Sequence, residues 1–196
     1  MTGPARFEGL FAMVVDGPNF VNDLFRFGTG KQFIVQELSL GSMLTFVQKQ
    51  VRNYIGTWRT TGLDFYYSGD PEARFLSGDN KLTPEEMDRF LKRQKEETGV
   101  RVHEVALRKR ARREKGVDVS VVTRLFEMKE VCETVVLVSS DTDYVPALET
   151  LSRIGRFAVT AGFQENYRIE LKNASFMFID LSELYSKETP SKPQTD

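Results

Sequence analysis

The sequence has one cysteine, Cys132, and one histidine, His103. A lone cysteine allows no disulfide within the chain, and the pair excludes a zinc site built from Cys and His. Cys132 reads as a small buried residue where a strand begins. His103 stands between Val102 and Glu104 in a predicted strand and reads as structural. An excess of one charge is also lacking: 27 Lys and Arg stand against 28 Asp and Glu, a net charge of -1. A nucleic-acid partner would therefore have to be held by a local patch and not by a global field. No apolar run approaches the roughly 20 residues of a membrane span, and the run at 10–15 is too short for a signal peptide and ends in an aspartate. These absences predict a cytoplasmic protein with no membrane partner. The composition, 40% hydrophobic and 28% charged, is that of a globular chain. We expect a single domain over 1–185 and a disordered polar tail over 186–196.

What the sequence does contain is a recurring join between an apolar strand and a carboxylate. Residues 135–148 read VVLVSSDTDYVPAL. Four apolar β-formers stop at Ser139 and Ser140, Asp141 and Asp143 follow, and Tyr144, Leu148 and Leu151 then recur at helical spacing. A continuous apolar run bounded by polar residues suits a strand buried on both faces. Ligands of such sheets bind beyond the carboxyl ends of the strands, where Asp141 and Asp143 would lie. Residues 10–15 (LFAMVV) repeat the arrangement and run into Asp16-Gly17-Pro18-Asn19, a turn that Asn19 can brace. Aspartates at strand ends can simply cap helices; that accounts for Asp118 or Asp143 alone, but poorly for Asp16 and Asp141 together.

Between these joins the pattern alternates. Residues 20–30 read as a loop with aromatics (Phe20, Phe25, Phe27), more suited to covering a core edge than to stacking on bases. Leu40, Leu44, Val47, Val51 and Ile55 predict a helix over 39–55 that packs on the sheet. A strand follows at 63–67, then a loop over 68–82. Thr83, Pro84 and Glu86 carry the signature of a capped helix start, and that helix runs to about residue 98. A strand over 100–107 leads into RKRARREK at 108–115, where six of eight residues are basic. A helix with Val117, Val121, Leu125 and Met128 on one face follows. Further strands are predicted at 156–162 and 176–179, with short helices at 165–172 and 181–185. Strands alternating with helices imply a mainly parallel sheet of five to six strands with helices on both faces. Right-handed crossovers bring every strand's carboxyl end to one edge.

Asp16, Asn19, Asp118, Asp141 and Asp143 would converge at that edge, beside the basic run. Several aspartates without His or Cys favour a hard ion, Mg2+ or Mn2+. Carboxylates for metal beside arginines for phosphate is the pairing that phosphodiester chemistry needs. The motifs VVDGPN (14–19), KGVDV (115–119) and LVSSDTDYVPAL (137–148), followed by Gly155, resemble the NYN domain, a branch of the PIN-like nucleases that includes the LabA-like proteins. The resemblance spans about residues 10–180 and implies a three-layer α/β PIN-like fold and a metal-dependent ribonuclease. On it, Asp16, Asp118 and Asp141 would hold metal, Asp143 would be a fourth acidic member, and Asn19 would orient the site. Arg108, Lys109, Arg110, Arg112, Arg113 and Lys115, with Ser139 and Ser140, would meet single-stranded RNA. Ser140 departs from the glycine common in the family.

Two other readings fit the same residues. The fold could bind RNA or a protein partner, another copy included, with weak or no turnover. Asp141-Thr142-Asp143-Tyr144-Val145 also fits D-x-D-x-[TV], the first motif of HAD-type phosphatases. That motif normally opens its domain, however, and here it lies late in the chain.

Overall fold

The computed structural model describes residues 9–56, 59–69, 82–106 and 116–185. The basic run at 108–115, most of the loop before Leu82, and the tail at 186–196 lie outside the described residues. The described chain forms one six-stranded sheet in the order β3-β2-β1-β4-β5-β6. Every neighbouring pair is parallel. The strands are β1 (Leu10–Asp16), β2 (Arg59–Ser68), β3 (Val100–Val105), β4 (Thr134–Val138), β5 (Phe157–Gly162) and β6 (Met177–Asp180). The chain builds outward from β1 on one side and then returns to lay β4 against its other side. The strand order therefore reverses between β1 and β4, and a crevice opens there beyond the strand ends.

Strand periodicity decides which face each residue serves. Phe11, Met13 and Val15 point into one core with Val136 and Val138. Val14 points the other way, with Val135 and Leu137. The first face is covered by α1 (Gly17–Arg26), α2 (Lys31–Gln36), α3 (Leu40–Ile55) and α4 (Pro84–Glu96), with α8 (Ser182–Tyr185) at its margin. The second is covered by α5 (Val117–Met128), α6 (Val145–Arg153) and α7 (Ile169–Ala174). By the same alternation Asp16 and Ser139 both fall on the α5–α6 side.

Most predicted elements stand where their patterns place them. Ser39 caps α3 through a 2.9 Å bond from the Ser42 amide. Thr83 and Glu86 form a reciprocal capping box at the start of α4. Cys132 is buried, and burial pushes its thiol up to about 11.

One expectation fails. Residues 20–30 are not a loop: α1 occupies Gly17–Arg26 and α2 starts at Lys31. Asp16 caps α1, Pro18 lies in its first turn, and Phe20, Val21 and Leu24 face the core. The Gly-Pro pair that suggests a turn is in fact a helix start, where proline is well tolerated. The aromatics are committed to packing: Phe20 and Phe27 both stack on Phe163, with ring centroids 6.3 and 4.9 Å apart.

Gly17 is required by a close approach. A Cβ there would overlap the Tyr66 carbonyl oxygen and lie 2.6 Å from the Phe65 ring. The absent side chain lets α1 leave β1 directly over β2, and so sets where Asn19 stands.

Candidate functional site at the sheet edge

Asp16 ends β1 inside the crevice and is only 4% exposed. Its Oδ1 accepts the Asn19 amide at 3.2 Å. Its Oδ2 accepts the Tyr144 hydroxyl at 2.9 Å and the Ser139 hydroxyl at 3.5 Å. Burial pushes the Asp16 carboxyl up to about 7, against the pull of the Asn19 and Tyr144 hydrogen bonds; the charges of Asp118 and Asp141 push it further up. A buried carboxylate with acidic neighbours holds its charge poorly.

Asp118 stands in the first turn of α5, exposed, at the mouth of the crevice. Its carboxyl is also raised, first by partial burial and then by Asp141, with Asp143 adding to the effect. The Tyr144 hydroxyl is 3.4 Å from Asp118 Oδ1, so one phenol spans the carboxylates of β1 and α5. Tyr144 is itself 1% exposed, and burial beside these acids holds its hydroxyl protonated.

After β4, Ser139 and Asp141 make a local turn. The Asp141 amide donates to Ser139 Oγ at 3.2 Å, and Asp141 Oδ1 caps the following turn by accepting the Asp143 amide at 2.9 Å. Asn19 Oδ1 accepts the Ser140 amide at 2.8 Å and the Ser140 hydroxyl at 3.2 Å. Asn19 therefore ties the start of α1 to the loop after β4 across 121 residues of chain.

The structure thus brings together Asp16, Asn19, Asp118, Ser139, Ser140 and Asp141, with Asp143 exposed at the rim. Asp16 and Asp141 both cap helical turns, yet capping alone does not explain why Asp16 is buried among acids. The basic residues Arg108, Lys109, Arg110, Arg112, Arg113 and Lys115 lie outside the described residues.

The donor set of carboxylates, hydroxyls and an amide suits a hard divalent ion, and mutual repulsion among the acids is what such an ion would relieve. Among the described residues, however, no three His, Cys, Asp or Glu side chains lie close enough together to hold an ion as they stand. Mg2+ is commonly held by one or two carboxylates with water completing its shell, so the residues fit the ion without forming a closed protein cage. Asp16 and Asp118 share the Tyr144 hydroxyl, and Asp141 is near enough to disfavour the charge of both.

Two features escape sequence reasoning. Tyr144 reads as one position of an apolar helix face, and only its polar tip hints at a second role. Asp64 is hidden in the apolar strand LDFYY yet has no exposure at all. It takes a bidentate pair from Arg101 (2.7 and 2.8 Å), a bond to Arg124 at 3.0 Å and one to His103 Nε2 at 2.7 Å. Burial pushes the Asp64 carboxyl up, but these three partners overcome it and hold the group at about 2. His103, stacked on Tyr66 with centroids 4.6 Å apart, is structural as its strand position suggests.

The NYN domain model matches residues 12–182. A crystal structure of a protein of unknown function from Vibrio parahaemolyticus superposes with a TM-score of 0.54 at 14% identity, over 92% of this chain and 96% of that one; it shares the fold. No curated protein matches the sequence. Among the described residues, no helix is long and apolar enough to cross a membrane.

Proposed function

The chain belongs to the NYN domain family, and from that premise we propose that it is a ribonuclease dependent on Mg2+ or Mn2+. Its substrate is single-stranded RNA. The observation that carries this reading is the placement of Asp16, on β1, with Asp118, on α5, and Asp141, after β4, at the switch point of the sheet, where Asp118 and Asp141 both disfavour the charge of Asp16 and Asp141 that of Asp118. A divalent ion bound there would supply charge neutralisation and polarise a phosphoryl oxygen. The chain's own residues do the rest. Asp16 and Asp118 offer the carboxylate oxygens. Tyr144 keeps Asp16 oriented by donating to Oδ2, and Asn19 holds the Ser140 loop so that Asp141 faces the same crevice. Asp143 is an outer acidic member. The family resemblance implies products with a 5′-phosphate and a 3′-hydroxyl.

A second reading is favoured by a specific observation: both oxygens of Asp16 already have partners within the protein. On that reading the domain binds RNA with little or no turnover. The test is incubation of the purified chain with single-stranded RNA, with and without manganese, beside Asp16→Asn and Asp141→Asn. Manganese-dependent cleavage that both substitutions abolish supports the nuclease. Cleavage surviving both substitutions defeats it, and binding without cleavage by the unsubstituted chain favours the second reading.

A further inference from the structure

A cavity of about 510 Å³ adjoins Asp141, between α1, the Ser140–Thr142 loop and the segment before α7. It shares Asn19, Ser140 and Asp141 with the proposed site, but the rest of its wall has no part in the proposed chemistry. Two arginines, Arg26 and Arg168, line it. Arg26 ends α1 and its side chain is 69% exposed; among the described residues its one ion pair is a 3.7 Å approach to the buried Asp23 one turn back. Arg168 is exposed and forms no ion pair among the described residues. Asp141 and Glu165 are the acids of the wall.

The neutral part of the wall includes a free donor. Asn19 spends its carbonyl oxygen on Ser140, which leaves its amide nitrogen available. With Asp141 given to the metal, two arginines and the Asn19 amide face the single acid Glu165, a balance that favours an anion with several acceptor oxygens. The volume falls within the range of about 300–1,000 Å³ typical of small-ligand sites. It suits one unit of a splayed single strand and not a duplex.

We propose that this cavity is a phosphate subsite, in which Arg26 and Arg168 bind the internal phosphodiester neighbouring the one presented to Asp16 and Asp118. The inference rests on reading the sheet edge as an RNA site. It fixes which side of that edge the strand crosses, with one phosphate anchored on the Asp141 side. A terminal 5′-phosphate offers the same chemistry, so the test separates the two.

The test measures binding of a fluorescent short oligouridylate, bearing either a 5′-hydroxyl or a 5′-phosphate, to the full chain with calcium in place of manganese. Arg168→Gln alone and Arg26→Gln/Arg168→Gln together are compared with the unsubstituted chain over a salt series. The double variant should bind about tenfold more weakly, and its slope of log affinity against log salt should fall by about 0.7 for each phosphate no longer neutralised. Both oligomers should be affected alike. An unchanged slope in the double variant overturns the subsite, as does failure of the unsubstituted chain to bind; a loss confined to the 5′-phosphorylated oligomer overturns its assignment to an internal phosphate. Cleavage by the unsubstituted chain with an unaltered KM in the double variant defeats the subsite alone. A reduced slope with no cleavage in manganese defeats the nuclease and leaves the subsite standing.

Discussion

Tyr144 donates its hydroxyl to Asp16 Oδ2 across 2.9 Å, joining residues 128 apart in the chain. This bond is one of two that oppose the upward push of burial on Asp16. We predict that Tyr144→Phe, a change that keeps the ring and its packing, makes Asp16 harder to ionise. Manganese affinity should fall about tenfold near pH 6.5, the scale of a lost hydrogen bond to a charged group, and should recover toward the unsubstituted value at pH 9. Calorimetric titration with manganese at the two pH values checks this. Tighter binding in the variant would mean that the hydroxyl keeps the cation out.

Asp16 makes the metal-free protein less stable as pH rises. Its folded-state carboxyl lies at about 7, against 3.8 as the ordinary value. Between those values the folded chain holds a proton that the unfolded chain has released, so raising pH through this window favours unfolding. We predict that in chelator Asp16→Asn is more stable than the unsubstituted chain at pH 8, by up to about 4 kcal/mol, with the difference shrinking toward pH 4. Urea denaturation at both pH values measures it, and a difference independent of pH would sink the idea.

The parts of this site that the sequence reveals are those encoded locally. A buried strand followed by an acid occurs twice, and parallel topology then forces Asp16 and Asp141 to one edge, so both can be placed without coordinates. Asp118 follows from its place at the start of a helix. Relationships across the sheet are not encoded in this way. The spacing of Tyr144 shows that it faces a core, but not that its tip meets Asp16. LDFYY shows a strand, but the partners that make a buried Asp64 tolerable lie 37 to 60 residues further along. The departure at residues 20–30 has a different origin. Gly17 and Pro18 are strong turn formers, and Gly28 and Gly30 close the segment quickly, so together they mask the short helical spacing of Phe20, Val21 and Leu24.

Asp64 contributes stability with the opposite pH dependence to Asp16. Held at about 2 instead of 3.8, it stabilises the fold above pH 4, and this contribution is lost as pH falls through 2. The shift corresponds to about 2 kcal/mol at neutral pH. We predict that Asp64→Asn lowers stability by about 2–3 kcal/mol at pH 7, where Arg101 and Arg124 lose their shared partner, and by less at pH 2. Those guanidiniums are partly exposed, and water can reach them, which keeps the cost below that of a fully enclosed pair. Equal losses at both pH values would contradict the pairing as the source of the stability.

Gly17 separates folding from site assembly. It lies between Asp16 and Asn19 on a helix start pressed against β2, and a methyl group there would meet the Tyr66 carbonyl and the Phe65 ring. Backbone and a packed core ring cannot both yield, so α1 must shift as a body. We predict that Gly17→Ala costs about 1–3 kcal/mol, as overpacking typically does. It should also move Asn19 off the Ser140 loop, whose bonds span 2.8 and 3.2 Å. Site function should then fall further than stability. At a temperature where the variant is still fully folded by circular dichroism, manganese affinity and RNA cleavage should both be reduced at least tenfold, a factor that a displacement of about 1 Å readily produces. A folded variant with undiminished affinity and cleavage would show that the start of α1 can shift without disturbing the carboxylates.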